Sequence, residues 1–138
     1  MNATARWLGH AGLLPFVAGA ALVWLAQGDA HAYAAIALAA YAALIVSFLG
    51  GIHWGLAMRQ PEAPPATLLW GVVPSLVAWP AVIMPAYAGL VLLGLMLLVC
   101  YLVDRRSYPA LGAAAWLTLR FRLSAVASLA CFVGAAGS

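Results

Sequence analysis

Charged side chains are the scarcest component of this chain, and their scarcity decides what it can fold into. Six basic and three acidic residues are spread over 138 positions, 7% of the total against 67% apolar. A soluble domain carries about a quarter charged residues. A hydrated surface cannot be assembled from so few. In hydrocarbon the balance reverses, because apolar side chains face outward freely and charges are expensive. The basic residues are all arginine, too sparse for the basic stripe of a nucleic-acid binder. They read as topology signals and lipid headgroup contacts. The expected fold is all-α, a polytopic membrane helical bundle of about five transmembrane helices in a single transmembrane domain, and its first partner is the lipid bilayer.

The apolar runs set the spans. The first, Trp7 to Ala26, is long enough to cross a core of about 30 Å. Arg6, this run and Ala30-His31-Ala32 imitate a secretory leader, but the run exceeds a typical leader core, so a retained helix is expected. Gln27 to His31 forms a polar turn, and the second span runs from Tyr33 to Met58. Arg59 to Thr67 contains Pro61, Pro64 and Pro65 and reads as a loop. The third span, Leu68 to Met84, holds Pro74 and Pro80 and is ended by Pro85. The fourth covers Ala86 to Val103, and Asp104-Arg105-Arg106 marks an interface. The fifth covers 120–137. The apolar segment 109–119 before it suits either an interfacial helix, with Pro109 at its first position, or an early start to that span. Five spans put Arg6, Arg59 and the four later arginines on one side. The rule that positive loops stay inside then predicts a cytoplasmic N-terminus and a periplasmic C-terminus.

Small residues recur every fourth position along the second span: Ala35, Ala39, Ala43, Ser47, Gly51 and Gly55. Close backbone approach supplies the dispersion contacts that drive helix association in lipid. The row reads as a packing ridge, against another helix of the chain or against a second copy. Pro15 and Pro74 each remove a helical hydrogen bond, freeing the carbonyls of Ala11 and Trp70, and each freed carbonyl needs a partner in lipid. Cys100 and Cys131 lie in apolar runs at different depths and read as packing residues.

Few side chains carry chemistry. His10 and His53 fall at similar depth on adjacent spans. Two imidazoles so placed could ligate a haem iron or meet a quinone head, and equally they could be hydrogen-bonded packing residues. Asp104, Arg105, Arg106, Arg120 and Arg122 form a second group, with Asp104 expected to pair with Arg120 or Arg105. That group reads as an anionic headgroup site or as topology anchors. Asp29 and His31 are too few to close a metal site. Trp7, Trp54, Trp70 and Trp116 suit an interfacial belt, whereas Trp79, beside Pro80, is expected in the core. No phosphate loop, zinc spacing or nucleophile triad occurs, so a non-catalytic role is expected.

Two segments carry a resemblance: Leu8-Gly9-His10-Ala11-Gly12-Leu13-Leu14-Pro15-Phe16 and Ser47-Phe48-Leu49-Gly50-Gly51-Ile52-His53-Trp54-Gly55. Together with Val73-Pro74-Ser75-Leu76-Val77-Ala78-Trp79, Asp104-Arg105 and the Trp116 to Arg122 segment, they resemble an uncharacterised membrane family, domain of unknown function 3429, related to the mitochondrial transmembrane protein 69. The resemblance implies a compact bacterial inner-membrane protein in an energy-transducing membrane, with no reaction and no catalytic residues to carry over. The leading expectation is an accessory, assembly or stabilising component that packs against other membrane proteins, such as those of a respiratory complex. The alternative is a haem-, quinone- or lipid-binding protein built on His10, His53 and the arginine-rich rim.

Overall fold

Proline and glycine set the breaks in a chain that is otherwise helical. In the computed structural model, which describes residues 2–138, the elements are α1 (Ala3–Ala11), α2 (Leu14–Leu25), α3 (Asp29–Ala57), α4 (Pro65–Ile83), α5 (Ala86–Ala110), a single 3-10 turn (Ala114–Trp116) and α6 (Leu117–Gly137). Five stretches are long and apolar enough to cross a membrane, with α1 and α2 counted together and the 3-10 turn joined to α6. The protein is a membrane helical bundle. Its second span, α3, packs against each of the other four.

The first span breaks where Pro15 withdraws its N–H and its ring crowds the preceding turn. The helix stops at Ala11 and resumes at Leu14. The carbonyl that gains a side-chain donor is that of Gly12, one residue beyond the expected Ala11: the Tyr41 hydroxyl of α3 donates to it at 2.7 Å. The same accounting recurs elsewhere, as burial in lipid demands. Trp54 Nε1 donates to the Leu68 carbonyl at 2.9 Å, His31 Nδ1 to Val23 at 2.7 Å, and Trp24 Nε1 to Val133 at 2.8 Å.

The small-residue row of α3 divides in two. Ala35, Ala39 and Ala43 are buried, Ser47 is half-buried, and Gly51 and Gly55 are exposed. A step of four residues overshoots one helical turn by about 40°. The row therefore winds about 200° around the helix between Ala35 and Gly55, and its lower end faces away from the bundle. A Cβ at Gly51 or Gly55 would have no neighbour within 4 Å. The close approach falls on Gly50 instead, where a Cβ would lie 2.5 Å from the Gly71 carbonyl oxygen of α4. Gly89 makes the corresponding contact at the α4–α5 corner, against the carbonyl of Ala81.

One further expectation changes, and two helices gain their bounds. Trp79 is 68% exposed, not core, while its neighbours Ala78 and Ala81 are buried. Lipid accepts the large ring outside, and helices approach more closely over alanine. The helix of the fourth span continues past Val103 to Ala110. The stretch 109–119 forms no interfacial helix. Pro109 closes α5 instead of opening a new helix, and Gly112 (φ 78°) turns the chain. The Ala113 N–H returns to the Tyr108 carbonyl at 2.8 Å and that of Gly112 to Pro109 at 3.4 Å, the pairing of a Schellman stop. The fifth span then starts at Ala114, with Arg120 inside it.

Candidate functional site

Three helices each bring one polar side chain to the same buried point. His53 lies one turn before the end of α3, Asp104 in the last third of α5, and Arg120 in the first turn of α6. His53 and Asp104 are each 1% exposed, Arg120 6% and Ser124 3%. Asp104 is the centre. Its Oδ1 accepts from His53 Nε2 at 2.7 Å, and its Oδ2 accepts from Arg120 Nε at 2.9 Å and Nη2 at 2.7 Å. Arg120 Nη1 donates to Ser124 Oγ at 2.8 Å, a partner one helical turn along the same face. Tyr108, also buried, sets its ring 6.1 Å from that of His53.

One of the two charges works against a helix dipole. A guanidinium in the first turn of a helix, as Arg120 is in α6, sits at the unfavourable end, whereas Asp104 lies more than a turn from the end of α5. Each charge is therefore held by the other. A carboxylate only accepts, so the nitrogen of His53 that meets it carries the proton. Asp104 receives three N–H groups, and Ser124 is bonded to the guanidinium, not to the imidazole. The cluster is electrically closed and has no base poised on a nucleophile.

The candidates named from sequence separate accordingly. His53, Asp104 and Arg120 come together, and the Asp104 pairing with Arg120 is the one formed. His10 is exposed and donates Nδ1–H to the Arg6 carbonyl at 2.7 Å within its own helix. His53 Nε2 is committed to Asp104, so the structure places the two histidines in different hydrogen-bond settings. Arg105, Arg106 and Arg122 are exposed, and the ion partners of Asp104 are Arg120 and His53. Sequence reasoning passed over Ser124 as a member of the cluster, and it kept His53 apart from Asp104, 51 residues away. The available signal was a shared depth: one buried histidine and one acid at the same end of neighbouring spans.

Beside the cluster a cleft of about 390 Å³ opens between the first span, α3 and α6. Leu8, Phe48, Ile52, Trp116 and Leu123 are among its apolar lining, and Arg120 and Ser124 are its polar residues. Gly9, Gly12 and Leu13 also line it, so the proline break shapes the opening.

A family model described as "Protein of unknown function (DUF3429)" matches residues 1–136. The chain is 40% identical over 116 residues to Transmembrane protein 69 of Xenopus tropicalis, an alignment covering 77% of this chain and 45% of that protein. The chain thus spans about half the length of the curated relative it matches. No solved structure matches it.

Proposed function

The chain belongs to the DUF3429 family, and from that premise we propose that it is a non-catalytic membrane protein that holds a lipid-soluble molecule in the cleft between its first, second and fifth spans. One observation carries this reading: an apolar cleft of about 390 Å³ with a single polar spot at Arg120 and Ser124. Ligand sites are commonly concave and apolar, with a few placed polar groups to fix orientation. Ala5, half-buried at the cleft wall, gives the test. Protein purified in native lipid should release a lipophilic species on extraction, detected by mass spectrometry. Ala5→Trp fills the space and should lose that species at least tenfold. Equal recovery from both proteins would overturn the reading.

The accessory role draws on a different observation. Gly51 and Gly55 form an outward pair on α3 with open space above them, the surface on which a helix of another membrane protein packs closely. The partner would sit in an energy-transducing membrane, the bacterial inner membrane, with the N-terminus cytoplasmic as the arginine distribution favours. Gly51→Leu with Gly55→Leu should shift the native-gel band of the protein in mild detergent to a smaller species. An identical single-chain band for both proteins would exclude this role.

A further inference from the structure

The charge balance of the cleft wall specifies what kind of head it receives. A guanidinium carries five N–H donors, and three of those on Arg120 are engaged by Asp104 and Ser124. The Ser124 oxygen accepts one of these, which leaves its own hydrogen as a donor. The wall therefore offers N–H and O–H groups, while the positive charge that would attract an anion is already neutralised by a carboxylate 2.7 Å away. An anionic headgroup placed there would lose its hydration and meet Asp104 as well as Arg120. A neutral carbonyl oxygen gains the same hydrogen bonds without bringing a charge out of water.

The dimensions and lining narrow the choice further. A volume of about 390 Å³ is at the small end of ligand clefts, room for one ring and the start of one chain, not for two acyl chains and a charged head. Phe48 and Trp116 contribute aromatic surface to the wall, and flat rings pack well on one another. We propose that the cleft is a binding site for a lipid-soluble quinone, with Arg120 and Ser124 donating to a ring carbonyl and the apolar wall receiving the isoprenoid tail. This deepens the ligand-holding reading above and rests on it.

Trp116 lines the site and reports on it. A long-chain benzoquinone titrated into protein in lipid nanodiscs should quench tryptophan fluorescence saturably, and Trp116→Phe should abolish the saturable part. Ser124→Ala should weaken binding about 3- to 10-fold, the worth of one hydrogen bond, and Ser124→Thr, which keeps the hydroxyl, should retain it. An isoprenoid hydrocarbon of equal length should compete poorly, as should phosphatidylglycerol. Equal competition by the hydrocarbon would overturn the head assignment while leaving the cleft as a ligand site. Stronger competition by phosphatidylglycerol would likewise overturn it in favour of an anionic lipid. Quenching that is unchanged in Trp116→Phe would mean partition into the bilayer only, and would overturn the site for quinone. If the extraction experiment on Ala5→Trp also shows no difference, the ligand-holding reading falls with it.

Discussion

Asp104→Ala costs the protein about 3–5 kcal/mol of stability, the usual penalty for leaving one member of a buried ion pair alone. The reason lies in the geometry: Arg120 is 6% exposed and two of its nitrogens bond Asp104. The reverse deletion, Arg120→Met, is milder. Without Arg120 the Asp104 carboxylate keeps the His53 N–H, whereas without Asp104 the guanidinium keeps only Ser124 and stays charged at any accessible pH. Replacing both, as Asp104→Ala with Arg120→Met, removes the unpaired charge and should recover most of the loss. Unfolding in detergent, followed by helicity against rising denaturant, measures all three variants. Losses that simply add in the double variant would show that the two residues do not act as a pair.

The second large effect separates two adjacent glycines. Gly50→Val forces a side chain into the Gly71 carbonyl oxygen, which an ideal Cβ already approaches to 2.5 Å. Backbone cannot give way as a flexible side chain does, so α3 and α4 must separate, and the overpacking costs about 1–3 kcal/mol or more. Gly51→Val meets nothing within 4 Å. It should leave stability within about 0.5 kcal/mol of the parent, as surface substitutions do. Equal destabilisation by the two would mean that the helix is rotated from the orientation described, and would return Gly51 and Gly55 to the packed face.

This contrast shows where the sequence was legible and where it was not. The number of helices long and apolar enough to cross a membrane followed from the scarcity of charge and from the proline-marked breaks at Pro61, Pro64, Pro65 and Pro85. The rotation of each helix did not. In water an amphipathic stripe marks the inner face, but α3 and α5 are apolar on all sides, and nothing in composition alone distinguishes Gly50 from Gly51 or Trp79 from Ala78. The end of α5 was legible in principle, since Leu111-Gly112 carries the glycine that a helix stop uses. Pro109 suits the first position of a helix, so its place in the last turn of α5 runs against the residue's usual preference. For the polar cluster, Asp104 and Arg120 were recognisable as partners by charge. His53 was not, because an uncharged ring gives no such signal across 51 residues.

The tight turn at Gly112 has a consequence for biogenesis. Asp104 and Arg120 are only 16 residues apart and belong to one helical hairpin, so the acid emerges from the ribosome before the base that neutralises it. Neither final segment enters the bilayer cheaply alone, but folded back on each other they carry no net buried charge. The last two helices are thus suited to leave the translocation channel as one unit, and the histidine already in place on α3 completes the latch when they arrive.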